Sequence, residues 1–241
     1  PEYQMLRSLV GSEMCIRDSN GTVSGQKDDV RSLIEFLQDI PNCSDIEFKV
    51  SYSDFSPFLR MKVKIKKEIV TIGLDKVKPH EFSGTYIEAE DWNNIVQSED
   101  YVIIDTRNEY ETRVGLFENA VDLQLDTFRD FPKAIEQLPD EYKDKQIVMY
   151  CTGGIRCEKA SAVMIKAGFS DVRQLKGGVL DYFKETDGSF WNGDCFVFDD
   201  RVALDTDLKE TEYIYCYICR EPLSGEEKAS PNFKINEYCP Y

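Results

Sequence analysis

The chain has 241 residues, a net charge of −16 and a hydrophobic fraction of 41%, values that are ordinary for one large or several small globular domains. No apolar run reaches the roughly 18 residues of a membrane span, and the N-terminus lacks the apolar stretch of a signal peptide. The acidic charge argues against non-specific nucleic-acid binding, and the eight irregularly spaced cysteines argue against a disulfide framework. We therefore expect a cytoplasmic protein with free thiols and no membrane partner.

The N-terminal part of the chain predicts a small α+β domain over residues 20–84. Residues 1–19 show no sustained period, and we interpret them as a non-native leader outside the fold. Asp28–Ile40 has apolar residues on one face, which predicts a helix, and Ile46–Val50 predicts a strand. The domain ends in a linker over residues 78–84, and its His80, the single histidine, is expected to be an exposed linker residue.

A basic segment stands out in this acidic chain. Residues 49–78 carry eight lysines and arginines against three acids, a local charge of +5. Within it, Lys62, Lys64 and Lys66 alternate with Met, Val and Ile, which predicts a half-buried strand with its lysines directed outward. Two interpretations remain open: a solvated strand face, or a docking patch for a polyanion.

The second domain, residues 85–198, predicts an α/β fold with a parallel sheet flanked by helices. Glu88–Val96 suggests a short helix, while Tyr101–Asp105, Gln146–Tyr150 and Val172–Leu175 are apolar runs typical of buried strands. A helical stripe lies between the last two of these runs. Functional loops of such sheets lie at the carboxyl ends of their strands.

The loop Cys151-Thr152-Gly153-Gly154-Ile155-Arg156 lies at such an end, between a predicted strand and a predicted helix start. Two glycines allow the backbone N–H groups to converge, and the helix N-terminus and the arginine add positive charge. These features favour a thiolate or persulfide on Cys151. Phosphatase-type loops place five residues between Cys and Arg, whereas this tighter loop has four and suits a single sulfur; the alternative is an inert buried cysteine.

Three further residues support the loop in this interpretation. Asp105 and Arg107 follow a neighbouring strand and are expected to organise the pocket through loop N–H groups or an acid–arginine pair, or to cap a turn, without a catalytic role. Cys157 lies at the helix start, where its pKa is expected to be lowered. It is therefore a candidate resolving thiol for Cys151, or else an ordinary packed cysteine.

The tail, residues 199–241, contains Cys216, Cys219 and Cys239. This spacing resembles a zinc ribbon that lacks its fourth cysteine, and the alternative is a set of ordinary free thiols. No dinucleotide-binding glycine motif and no His–carboxylate triad is present, so the sequence indicates no organic cofactor.

Several stretches together resemble the tRNA uridine(34) hydroxylase family, whose members contain a rhodanese domain. The matching stretches are Asn20–Gly25, Lys67–Thr71, Asp105–Asn108, Cys151–Ser161, Leu175–Gly178 and Cys195–Asp199. The resemblance implies an acylphosphatase-like (ferredoxin-like) first domain, a rhodanese domain and a cysteine-bearing tail. The chain departs from the family pattern before Asn20 and at the missing last cysteine, which implies truncation at both ends.

The resemblance also implies an activity: oxygen-dependent hydroxylation of the wobble uridine of tRNA to 5-hydroxyuridine, with O2 as co-substrate and Cys151 as the persulfide-bearing residue. On this interpretation Lys62, Lys64 and Lys66 bind tRNA phosphates. Two alternatives stay open, namely a sulfurtransferase that carries sulfane sulfur on Cys151, and a rhodanese module that only binds.

Overall fold

The computed structural model describes residues 3–10, 19–41, 43–44, 46–74 and 83–241. The chain forms two compact units, Pro1–Thr71 and Ile72–Tyr241. His80 and most of the predicted linker lie outside the described residues. Within the described ranges, no helix is both long enough and apolar enough to cross a membrane.

The first unit is an antiparallel sheet with one helix. Its elements are β1 (Tyr3–Val10), β2 (Ser19–Gln26), α1 (Lys27–Gln38) and β3 (Glu47–Ser53). The strand order is β2-β1-β3, and both ladders are antiparallel. Asp28 and Asp29 in the first turn of α1 complement the positive end of the helix dipole, and Val30 on its apolar face is buried. The helix and strand predicted over 28–40 and 46–50 are confirmed.

The position of β1 differs from the sequence analysis, which placed residues 1–19 outside the fold. Tyr3–Val10 is the central strand of the sheet and pairs with both neighbours. Its residues do not alternate strictly between apolar and polar, so the usual local signal of a half-buried strand is lacking. The strand is defined by ladders to residues distant in sequence, and a local pattern carries no information about those partners.

The strand predicted over residues 61–66 is wrong. This segment has no strand hydrogen bonds, and Met61, Val63 and Ile65 are exposed rather than half-buried. Alternation of apolar and charged residues favours a strand only when a neighbouring strand supplies backbone partners, and the described sheet ends at β3 on this side of β1. The three lysines, Lys62, Lys64 and Lys66, are exposed as expected.

The second unit contains the predicted parallel sheet and its helices. In chain order its elements are β4 (Thr85–Ile87), α2 (Ala89–Val96), β5 (Tyr101–Asp105), α3 (Glu109–Thr112), β6 (Gly115–Phe117), β7 (Val121–Asp122), α4 (Phe131–Ile135), β8 (Gln146–Tyr150), α5 (Ile155–Lys166), β9 (Asp171–Leu175), α6 (Gly178–Glu185), β10 (Trp191–Gly193), β11 (Cys195–Phe196), β12 (Ala203–Leu204), β13 (Ile214–Tyr215), β14 (Pro222–Leu223) and α7 (Gly225–Ala229). Five strands form one parallel sheet in the order β4-β9-β8-β5-β7. The fold class predicted from the sequence is confirmed.

The central strands owe their position to burial on both faces. From their second residues onward, β5 and β8 are wholly buried, because each is a continuous apolar run covered by helices on both sides. Behind β8, the Phe117 ring packs against four other aromatic rings at 4.8–5.3 Å, those of Trp92, Tyr150, Tyr182 and Trp191. Such pairs each contribute on the order of 1 kcal/mol beyond their area burial, and they hold the end of β8 rigidly.

The tail does not form a unit of its own, in contrast to the predicted boundary at residue 199. The antiparallel pair of β11 and β12 spans that boundary. Phe196, Val202 and Ala203 form a buried cluster with Val114, so residues before and after the boundary share one small core. The tail is therefore packed as part of the second unit.

The N-terminus of α6 packs directly against the loop that follows β8. Val179 and Leu180 donate backbone hydrogen bonds to the carbonyls of Cys151 and Thr152, at 3.0 and 3.1 Å. Gly178 permits this approach, because a Cβ there would lie 2.3 Å from the Cys151 carbonyl oxygen and because its φ is +70°. Gly178 of the Lys176-Gly177-Gly178 sequence is thus explained by close backbone contact.

We expect Gly178→Ala to destabilise the protein more than Gly168→Ala. Both glycines have positive φ, which costs an alanine about 1–2 kcal/mol, but a Cβ at Gly168 meets nothing within 4 Å. The backbone clash at Gly178 should add about 1–3 kcal/mol. Urea denaturation of both variants measures the difference, and equal losses in the free energy of unfolding would contradict the close contact.

Candidate active site around Cys151

Cys151 lies directly after β8, and α5 begins four residues later at Ile155. Gly154 caps the helix with φ +89°, a conformation that favours glycine, and its backbone N–H donates to the Cys151 Sγ at 3.1 Å. Gly153, Gly154 and Ile155 are partly exposed, while Cys151 is only 1% exposed. The loop therefore curls around the sulfur and points its N–H groups and the helix N-terminus at it.

The pKa of Cys151 is set by opposing effects. Burial raises it, because desolvation disfavours the thiolate. A hydrogen bond from Cys157, the positive charge of Arg156, and the backbone N–H groups of Arg156 and Cys157 act in the opposite direction. Together they outweigh burial and lower the pKa to about 5. This lowered pKa favours the thiolate at neutral pH, the form for which the loop sequence is suited.

The pKa of Cys157 differs from the expectation. The helix start was expected to lower its pKa, but burial and the neighbouring negative charge of Cys151 raise it well above the ordinary value. Its sulfur is fully buried and lies 3.7 Å from the Thr106 Oγ1. A thiol that stays protonated can donate to the Cys151 thiolate, so Cys157 stabilises the anion, and its role as a resolving thiol stays a prediction.

Arg156 is held by an acid that the sequence analysis did not identify. Its Nη1 and Nη2 donate to the two carboxylate oxygens of Glu111 at 2.5 and 2.6 Å, and both side chains are buried. Glu111 lies on α3, and its Oε2 also accepts a hydrogen bond from the backbone N–H of Asn108, the residue before the helix, at 3.1 Å. The sequence offered one signal for this role, since Glu111 follows shortly after Asp105-Thr106-Arg107. That segment was already placed at the same edge of the sheet as the cysteine loop.

Two threonines connect the loop to its surroundings. The Thr152 Oγ1 donates to Glu111 at 3.3 Å, and the Phe196 carbonyl oxygen lies 3.5 Å from the same hydroxyl. On the neighbouring strand end, Thr106 donates to the Tyr150 carbonyl through its hydroxyl at 2.9 Å and through its backbone N–H at 3.1 Å. The loop, α3 and β11 are therefore held in one hydrogen-bonded network.

Asp105 and Arg107 pair with each other rather than with the loop. Arg107 donates to both Asp105 oxygens through Nε and Nη2, at distances down to 2.6 Å, and also to the Gly115 carbonyl at 2.6 Å. Its guanidinium lies over the rings of Tyr150 and Trp191. This buried pair joins the end of β5 to β6. It thereby fixes the end of the strand that lies next to β8, from which the cysteine loop follows.

The remaining predicted residues are the three lysines of the first unit and the three cysteines of the tail. Lys62, Lys64 and Lys66 are exposed residues of the first unit. In the tail, the thiols of Cys216, Cys219 and Cys239 lie within 4.8 Å of one another, so the cluster could hold a metal ion. Three thiolates suit zinc, which takes four ligands at structural sites.

Comparisons with known proteins agree with this architecture. Residues 88–185 match the model of the rhodanese-like domain, and residues 19–69 match that of the UPF0176 acylphosphatase like domain. A protein of Brucella anthropi named tRNA uridine(34) hydroxylase is 43% identical over 252 residues, which cover 99% of this chain and 83% of the relative.

Two solved structures that are similar to part of this chain are described as rhodanese-related or rhodanese-like. A rhodanese-related protein from Thermoplasma volcanium has a TM-score of 0.35 and 20% identity, and the match covers 42% of this chain and 92% of that one. A rhodanese-like domain protein from Staphylococcus aureus has a TM-score of 0.34 and 23% identity, with 41% and 90% covered.

The 43% identity to the Brucella anthropi protein extends over nearly the whole chain, and both matching domain models occur in the predicted order. The chain belongs to the tRNA uridine(34) hydroxylase family.

Proposed function

We propose that the protein hydroxylates the wobble uridine of tRNA at carbon 5, with O2 as co-substrate, and that Cys151 is its catalytic residue. The observation that carries the proposal is the stabilised thiolate of Cys151 in a chain of this family. Thr152, Gly153, Gly154 and Ile155 form the loop that surrounds the sulfur, and Arg156 supplies the nearest positive charge.

The residues of the site have distinct tasks in this proposal. The loop N–H groups, Arg156 and the Cys157 thiol keep an anionic sulfur, either a thiolate or a persulfide, stable at neutral pH. Burial excludes water from that sulfur. Glu111 fixes the Arg156 guanidinium in place, so the electrostatic environment is set before the substrate arrives.

The tRNA phosphates require positive charge, which the acidic chain concentrates in one segment. Lys62, Lys64 and Lys66 are exposed there, and we assign them to phosphate contacts. A tRNA substrate is also the reason to place the protein in the cytoplasm.

The tail supplies a candidate zinc site. Cys216, Cys219 and Cys239 offer three thiols in one small cluster, the donor type that zinc prefers. Bound zinc would link the two ends of the tail, since the third cysteine follows the second by 20 residues. No step of the proposed reaction uses this ion.

Sulfur transfer is the second candidate function, because a Cys151 thiolate with a pKa of about 5 is also suited to carry sulfane sulfur as a persulfide. The distinguishing observation is the family, whose named member is a hydroxylase. A purely binding role is disfavoured, since an inert module needs neither the thiolate nor the buried Arg156–Glu111 pair.

Cys151→Ser should abolish formation of 5-hydroxyuridine, because it removes the sulfur and a serine hydroxyl forms neither a thiolate nor a persulfide. The measurement is mass spectrometry of tRNA nucleosides from cells that lack the protein, complemented with wild type, with the variant, or with Cys43→Ser as control. Equal 5-hydroxyuridine in all four would contradict the proposal. Sulfur transfer from thiosulfate to cyanide by the pure protein would then support the second candidate.

Replacing the Arg156–Glu111 pair by neutral residues should raise the pKa of Cys151. In wild type the thiolate fraction falls only as the pH drops through about 5; loss of the Arg156 charge moves this midpoint upward, toward the ordinary thiol range. The double variant Arg156→Met/Glu111→Gln avoids leaving a buried charge without its partner. The pH dependence of Cys151 alkylation by iodoacetamide gives the midpoint, and Arg113→Met is the control. An unchanged midpoint in the double variant would contradict the role of Arg156.

Reversing Lys62, Lys64 and Lys66 to Glu should weaken tRNA binding at least tenfold at low salt and reduce the salt dependence of the Kd. The matched control reverses Lys184, Lys209 and Lys234, which are exposed residues of the second unit and give the same change in net charge. Filter binding of tRNA over a range of salt concentrations measures both effects. Equal weakening in the two triple variants would show that only net charge matters.

A further inference from the structure

The strap between β10 and β12 presents one exposed aromatic ring. Within residues 195–199, which we call the Phe198 strap, every residue is buried except Phe198, which is 53% exposed. Isolated apolar side chains are ordinary on protein surfaces, so exposure alone decides nothing. What distinguishes Phe198 is the rigidity of its backbone and the neighbour that lies over its ring.

The Phe198 strap is anchored on both sides of the ring. The Val197 backbone N–H donates to the Val202 carbonyl at 2.8 Å, and the Tyr215 hydroxyl donates to the Val197 carbonyl at 3.3 Å. Asp199 accepts two hydrogen bonds from the buried Arg201 side chain, at 2.8 and 2.9 Å. The Phe198 ring itself packs edge-on against Phe196, with centroids 5.1 Å apart. An exposed ring on such a support is positioned before any ligand binds.

The ring lies beside the cysteine loop. The Arg156 guanidinium carbon is 5.7 Å from the Phe198 ring centroid, and the same guanidinium holds Glu111 and acts on Cys151. The carbonyl of Phe196, two residues earlier, is 3.5 Å from the hydroxyl of Thr152 in the loop. A planar group resting on Phe198 would therefore lie next to the residue whose charge stabilises the reactive sulfur.

We propose that Phe198 is the stacking platform for the pyrimidine base that is modified at Cys151. This inference rests on the proposed function, since it takes a nucleobase as the substrate. A base must leave the anticodon stack to reach a buried sulfur, and an aromatic side chain replaces the stacking that it loses. The cationic Arg156 beside the ring adds to the attraction of a π-system.

The test is a double-mutant cycle, in which the Phe198 side chain and the wobble base of the RNA are changed separately and together. Wild type, Phe198→Leu and Phe198→Trp bind two anticodon stem-loops, one with uridine and one with an abasic nucleotide at the wobble position, with oxygen excluded so that the RNA is not consumed. Leucine keeps apolar volume against Phe196 but removes the π-face, whereas tryptophan keeps the π-face. Thermal melting confirms that the variants fold.

We expect Phe198→Leu to weaken binding of the uridine stem-loop about tenfold and to leave binding of the abasic stem-loop unchanged, while Phe198→Trp binds both as wild type does. Equal affinity of Phe198→Leu and wild type for the uridine stem-loop would overturn the proposal, as would an equal loss with the abasic RNA. Failure of the proposed function is seen separately, as absence of 5-hydroxyuridine after wild type is given oxygen.

Discussion

The buried ion pair between Arg156 and Glu111 is the interaction on which the site depends. It joins the first turn of α5, which follows the cysteine loop, to α3, which follows the neighbouring strand β5. A buried guanidinium without a partner is strongly unfavourable, so this arginine stays in the loop only because an acid meets both of its donors. Thr152 donates to the same carboxylate, which extends the constraint to the residue after Cys151. The Arg156 charge that lowers the pKa of Cys151 is therefore fixed by Glu111, which lies 45 positions before Arg156 in the chain.

The tail completes this arrangement from the outer side. Just before the tail, the Phe196 carbonyl lies against Thr152 and the Phe198 ring lies against Arg156. Farther along, Arg113 pairs with Glu221 and lies under the Tyr241 ring, so α3 is held on one side by Arg156 and on the other by the tail. The cysteine cluster lies in this same region. Folding of the tail and geometry of the active site are thus coupled through α3.

The sequence predicted the parts of the fold whose signals are local. The buried strands Tyr101–Asp105 and Gln146–Tyr150 coincide with β5 and β8, because continuous apolar runs leave little ambiguity about burial. Cys151 and its loop were identified because glycines, a helix start and an arginine follow one another directly. The sequence did not predict the elements and partners that depend on contacts distant in the chain. The strand β1 has two remote partner strands, whereas residues 61–66 have none among the described strands. Glu111 meets Arg156 only in the folded chain. The raised pKa of Cys157 likewise follows from its burial and from its contact with the Cys151 anion, both of which depend on the folded chain.

The charges around Cys151 suit a neutral base better than a phosphate group. Arg156 is balanced by Glu111, Arg107 by Asp105 and Arg201 by Asp199, so the thiolate of Cys151 is the charge that these pairs leave uncompensated. A pocket with net negative charge disfavours a phosphate, in contrast to the cationic loops of phosphatases, and it accepts a neutral ring such as uracil. The RNA backbone must then be bound by other residues, and the exposed lysines of residues 60–67 provide positive charge in the first unit. In the function that we propose, an acidic protein acts on RNA in this way: the basic segment binds the polyanion, and the catalytic pocket binds an uncharged base next to an anionic sulfur.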